Sequence, residues 1–187
     1  MNDSSNDKKG FKVQTIEFNE TLKGVKDFDC GDATLNSYLQ KQLKREYIRG
    51  NINALLLLDK IDNVIGFVTA RPYHLGREQV LSGVFPYSIP PAITVMQIPM
   101  VAIDKKYQNK GWGIVLMRDI FDYCLDSAKQ VKGIKGVYID ALVSARPFYE
   151  SLNFQAMSEN VSQHGTVPML ISMDTLREAS VDWKSAG

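Results

Sequence analysis

The stretch Gln108-Asn109-Lys110-Gly111-Trp112-Gly113 has the residue types and spacing to hold an anion. It follows an apolar run, Ile93 to Asp104, that reads as a strand, and it opens an amphipathic run, Ile114 to Lys129, that reads as a helix. The first-turn N–H groups of a helix have no partner within it, and the helix dipole adds partial positive charge there. Gly111 and Gly113 have no Cβ, so a ligand can approach the backbone closely. A phosphate or pyrophosphate suits such a turn. Glycine pairs before helices also serve as plain strand–helix connections. A second feature downstream, Phe148-Tyr149 followed by Asn153-Phe154, raises the functional reading over the plain one.

The elements that must position these residues follow from pattern. Phe11 to Glu17 alternates apolar and polar residues and reads as a strand. Phe28-Asp29-Cys30-Gly31 reads as a turn, and Asp32 is the expected N-cap of a helix. That helix places Leu35, Tyr38, Leu39, Leu43 and Tyr47 on one face and Lys41, Lys44, Arg45 and Arg49 on the other, and ends at Gly50. Ala54 to Leu58 and Val64 to Ala70 flank Asp62-Asn63 as a hairpin. From Arg71 to Pro91 the pattern fails, and a long irregular loop is expected. Pro99 must make the central strand bulge, splay or leave an edge unpaired, because proline donates no ladder bond. Met117, Ile120, Phe121, Cys124 and Ala128 form the inward stripe of the second long helix. Val137 to Val143 reads as a strand, Pro147 to Leu152 as a short helix with proline in its first turn, and Val167 to Met173 as a final strand. Met1 to Gly10 and the stretch from Arg177 onward read as tails. The whole is a mixed α/β sheet covered by helices, one domain over residues 11–176.

Composition narrows the partners. A formal net charge of +1 over 187 residues argues against a global polycation, so any nucleic acid must meet a local basic patch. No apolar run is long enough to span a membrane. Cys30 and Cys124 read as free thiols in a reducing cytoplasm. His74 and His164 have no Cys or carboxylate at metal spacing, so no metal is expected.

The Gln-x-x-Gly-x-Gly turn after a strand ending in Ala-Ile-Asp, with Phe-Tyr before a final strand, resembles the GCN5-related N-acetyltransferases (GNAT family). Phe28-Asp29-Cys30-Gly31 with Leu35-Asn36-Ser37-Tyr38-Leu39 is similar to the toxin branch of that family, whose members acetylate the amino group of aminoacyl-tRNA. The likeness runs from about Thr15 to Met173.

This resemblance implies a GNAT fold, α/β (α+β), with a splayed pair of strands and helices on both faces of the sheet. It implies acetyl-CoA as donor, with Gln108, Asn109, Lys110, Gly111, Trp112 and Gly113 around its pyrophosphate. Its pantetheine arm would run along Ile98, Met100, Val101, Ala102 and Ile103. Tyr149 matches the tyrosine that protonates the departing thiolate; no residue is assigned as general base. Lys41, Lys44, Arg45, Arg49 and Arg71 are where tRNA phosphates should land, the other reading being a solvated basic face. A small ribbon-helix-helix antitoxin and a homodimer belong to the same implication.

Three departures stand out. Pro99 and Met100 replace the Gly-Arg of many toxin relatives, which bears on acceptor recognition. Asn153 replaces a glycine, and Asn tolerates the left-handed conformation needed there. The segment between Ala141 and Phe148 is about one residue shorter than in some relatives. The rival readings are a housekeeping acetyltransferase of a small amine or protein N-terminus and a non-catalytic acyl-CoA-binding module. Met100 and the near-neutral charge favour the first; a retained Tyr149 speaks against the second.

Overall fold

The computed structural model describes residues 10–15 and 21–185, so the expected tail, up to Lys9, and Ile16 and Glu17 lie outside the described residues. The chain divides into two compact units, residues 1–70 with 100–120 and residues 71–99 with 121–187.

In the first unit, β1 (Lys12–Thr15) pairs antiparallel with β2 (Asn53–Leu58), and β2 pairs antiparallel with the opening of β3 (Val64–Gly76). The hairpin closes because the Asp59 carboxylate accepts from the N–H groups of Ile61 and Asn63 at 3.0 and 2.8 Å, while Asp62 takes a left-handed φ of 66°. Asp32 caps α1 (Ala33–Lys41) as expected, accepting from Thr34 N and Leu35 N. The single helix expected up to Gly50 is instead two, since Gln42 (φ −122°) separates α1 from α2 (Leu43–Ile48). Apolar spacing reports which residues face inward, not whether the helix is continuous. Leu39 and Leu43 are both buried on either side of the break, with Phe28, Leu56 and Phe67 in the same core.

In the second unit, the expected irregular stretch opens as strand. β3 continues through Gly76, and Arg71 to Gly76 pair antiparallel with β4 (Ala92–Gln97). The partner strand lies some way along the sequence, and Pro72 occupies a strand position that a ladder tolerates only where the missing N–H is not needed; local pattern therefore concealed it. The segment that follows is no free loop either, because Val84, Phe85 and Ile89 are buried with Leu75, Ile93 and Leu170. β4 pairs in parallel with β6 (Ile134–Leu142), β6 antiparallel with β8 (Thr166–Ser172), and the two-residue β7 (Gln155–Ala156) with β8.

Pro99 interrupts the central strand as expected. β4 ends at Gln97, and β5 (Val101–Ile103) pairs with Gly66 to Val68 of β3. The long helix α3 runs from Trp112 to Gln130, and Met117, Ile120, Phe121 and Cys124 are each fully buried along it. The expected tail from Arg177 belongs instead to α5 (Met173–Ser185). The Ser172 hydroxyl accepts from Thr175 N at 3.1 Å at its start, Leu176 is fully buried, and the Trp183 ring stacks on Phe121 at 6.0 Å. Its many charged residues dilute that apolar stripe to a few positions. Among the described residues no helix is long and apolar enough to cross a membrane, and no His, Cys, Asp or Glu cluster could hold a metal ion. Cys30 and Cys124 are free thiols.

Candidate active site

The glycine turn lies in the first unit and is built by strain-tolerant residues. Asn109 and Gly111 take left-handed φ of 59° and 79°, and α3 starts at Trp112. Gln108, Asn109, Lys110 and Gly111 are exposed, whereas Trp112 is buried, its ring 4.5 Å from that of Phe11. Trp112 therefore packs. The Lys110 ammonium lies 5.8 Å from the centre of the Tyr107 ring. Exposed backbone, the first turn of a nineteen-residue helix and a nearby cation make a setting suited to a diphosphate.

A network of hydrogen bonds locks this turn to Phe28-Asp29-Cys30-Gly31. Asp29 Oδ1 accepts from Gly31 N and Asn36 Nδ2, each at 2.9 Å, and Asp29 Oδ2 accepts from Lys105 Nζ at 3.0 Å. Those bonds hold the Asp29 carboxyl down at about 2, the Asn36 amide contributing most and Lys105 next. Asp29 N donates to the buried Asp104 carboxylate, and Lys105 N donates to Asp29 O. Cys30 N donates to Asn36 Oδ1 at 2.9 Å. Gln108 Nε2 donates both to Cys30 O at 2.9 Å and to Ile103 O at 2.8 Å. From its residues alone Phe-Asp-Cys-Gly reads as a turn, and this role does not follow from it. The available signal was a set of Asp and Asn residues at short spacing, the usual makers of side-chain-to-backbone turns.

β5 presents its backbone in alternation. Thr69 N donates to Met100 O at 2.9 Å and Asp104 N to Ile65 O at 2.8 Å. Residues 100, 102 and 104 thus turn their polar backbone toward β3, and Val101 and Ile103 turn theirs the other way. Met100 also lines a groove of about 550 Å³ beside α1, with Ser37, Tyr38 and Gln42. Ile98 lies in the second unit, is buried, and donates its N–H to Tyr138 O at 2.9 Å.

Tyr149 lies in the second unit on α4 (Arg146–Glu150). The helix closes with a six-to-one bond from Phe154 N to Tyr149 O at 3.1 Å, a bond from Asn153 N to Glu150 O at 3.0 Å, and Asn153 at φ 66°. This is the left-handed helix ending in which the residue after the turn packs back on the last helical turn. Phe154 does so, meeting Tyr149 edge-on at 5.8 Å and resting on Phe121 at 5.9 Å. Phe-Tyr-x-x-x-Asn-Phe is therefore the device that fixes the Tyr149 ring. Tyr149 is 5% exposed, and burial pushes its phenol well above the ordinary range. Among the basic residues, Lys41, Arg45 and Arg49 are exposed in the first unit; Lys44 is half-buried. Arg71 is exposed in the second unit and donates to Gln97 Oε1 at 2.9 Å.

The family model of the acetyltransferase (GNAT) domain matches residues 17–173. The chain belongs to the GNAT acetyltransferase family. The tRNA-acetylating toxin of Mycobacterium tuberculosis (strain ATCC 25618 / H37Rv) is 26% identical over 136 residues, 70% of this chain and 78% of that protein. A crystal structure of a bacterial toxin matches with a TM-score of 0.85 at 30% identity, covering 90% of this chain and 94% of that one. The AtaT toxin complexed with acetyl-methionyl-tRNAfMet matches in fold, with a TM-score of 0.77 at 22% identity over 90% of this chain and 98% of that chain. In this GNAT acetyltransferase the glycine turn after Ala-Ile-Asp and the Phe-Tyr of α4 lie within the matched residues.

Proposed function

We propose that the chain is an acetyl-CoA-dependent toxin that acetylates the amino group of aminoacyl-tRNA and so blocks translation. The observation that carries this reading is the match to a tRNA-acetylating toxin over most of both chains. Acetyl-CoA, when bound, supplies an activated acetyl thioester. The turn amides after Gln108, whose own N–H donates to Asp104 O at 3.1 Å and whose side chain is spent on Cys30 O and Ile103 O, hold its diphosphate, and the outward backbone of Val101 and the N–H of Ile103 align its pantetheine arm. The acceptor nitrogen forms the new N–C bond as the C–S bond breaks. Tyr149 Oη holds a proton for the departing sulfur and is recharged from solvent, and the surplus amine proton passes to water. An α-amino group of pKa about 8 has enough free base near neutral pH for water to suffice. Lys41, Lys44, Arg45, Arg49 and Arg71 are assigned to tRNA phosphates. A ribbon-helix-helix antitoxin, a homodimer and action in the cytoplasm belong to the same reading.

Cell-free translation tests it. Added protein is expected to stop protein synthesis only when acetyl-CoA is present, and Tyr149→Phe is expected to spare it. Undisturbed translation together with acetylation of spermidine would establish the small-amine reading instead.

A further inference from the structure

The second unit contains a cleft of about 500 Å³. Tyr138 and Asp140 are two apart on β6, so their side chains share one face of the strand. The Tyr138 hydroxyl donates to Asp140 Oδ1 at 2.6 Å, and both residues line the cleft. Tyr73 stacks on the Tyr138 ring at 5.5 Å with planes 11° apart, which fixes the ring and therefore the hydroxyl. The described lining carries a second carboxylate, Glu78, with the amides of Gln79 and Asn160, and no lysine or arginine. Neither Glu78 nor Asp140 forms an ion pair among the described residues.

Two carboxylates with no cation beside them among the described residues repel phosphate and attract a nitrogen that carries protons. The volume falls in the range that encloses a small organic group. We propose that this cleft seats the amine-bearing end of the acceptor, with Asp140 accepting a hydrogen bond from the acceptor nitrogen and Tyr138 holding the Asp140 carboxylate in place. The bond exists whether the nitrogen is an ammonium or a free amine, since both donate N–H. Phosphates of a charged tRNA then lie outside the cleft. Asp140 is a binding residue and Tyr138 a positioning residue. The assignment rests on the reading of the chain as an acetyltransferase of aminoacyl acceptors.

Steady-state acetyl transfer to charged tRNA tests it, comparing the native protein with Asp140→Asn, Asp140→Glu and Tyr138→Phe. Loss of a hydrogen bond to a charged group is expected to raise the acceptor KM about tenfold or more in Asp140→Asn, with the acetyl-CoA KM within about twofold of native. Asp140→Glu keeps the carboxylate and is expected to recover part of the loss; Tyr138→Phe is expected to fall between. Puromycin, an aminoacyl nucleoside with a free amine, is expected to compete with charged tRNA, and N-acetylpuromycin to compete at least about tenfold more weakly. An unchanged acceptor KM in Asp140→Asn overturns the seat, as does an equal rise for both substrates. If the native protein acetylates spermidine and not charged tRNA, the functional reading fails. The same variants assayed on spermidine then decide the seat separately, a raised KM supporting it and an unchanged one overturning it.

Discussion

Burial makes Tyr149 a poorer acid than a free phenol, and that suits a group that must stay protonated while an amine is free to attack. In the proposed reaction, where a thiol of pKa about 8.5 departs, the assistance expected of Tyr149 is a hydrogen bond to the sulfur. Tyr149→Phe is expected to lower kcat about 10²- to 10⁴-fold while the Kd for acetyl-CoA, read by calorimetry, moves little. Because its phenol is raised, kcat is expected to show no fall attributable to this group below about pH 10. Asp29 differs in kind: it is exposed, and hydrogen bonds hold its carboxyl at about 2. A folded-state value below the unfolded one means that its contribution to stability is present above about pH 4 and is lost as pH falls toward 2. Urea titrations of native protein and Asp29→Asn are expected to differ near neutral pH and to converge in that acid window. At neutral pH the Kd for acetyl-CoA is also expected to weaken in Asp29→Asn, because the Gln108 turn is tied to the same network.

At the scale of elements, the ending of α4 was legible because glycine, or asparagine in its place, has a conformational reason to follow Phe-Tyr by four residues. Asn153→Ala is expected to destabilise the fold by about 1–2 kcal/mol through its left-handed φ, and Asn153→Gly to be tolerated; thermal unfolding of the two variants separates them. The Asp32 cap, the interruption at Pro99 and the inward stripe of α3 were legible for similarly local reasons. What escaped local pattern depends on distant partners. The second half of β3 is a strand because β4 pairs with it, and its proline and exposed polar residues read as loop. α5 meets the core through few residues, Leu176 and Trp183 among them, amid charges. Leu176→Ala is expected to cost about 2–5 kcal/mol in urea unfolding, a loss that a dispensable tail would not show. The turn at Asn109 and Gly111 and the α4 ending around Tyr149 were visible in sequence. The Asp29–Asn36–Gln108 network was not, since it joins residues more than seventy positions apart.

For the whole molecule, a formal net charge of +1 leaves polyanion binding to local cations. The acceptor KM for charged tRNA is expected to rise steeply with salt, and Arg45→Ala or Arg49→Ala is expected to reduce that slope by about one each. Transfer to a small amine should be nearly indifferent to salt, which makes the slope a second means of telling the two acceptors apart. The most direct measurement incubates the protein with radiolabelled acetyl-CoA and a mixture of charged tRNA, free amino acids and polyamines, then releases the aminoacyl group from the tRNA with mild base. Label is expected in N-acetylated amino acid released from tRNA and to disappear with Tyr149→Phe. Label confined to free amino acids or polyamines, or undiminished transfer by Tyr149→Phe, would contradict an aminoacyl-tRNA acetyltransferase acting through that phenol.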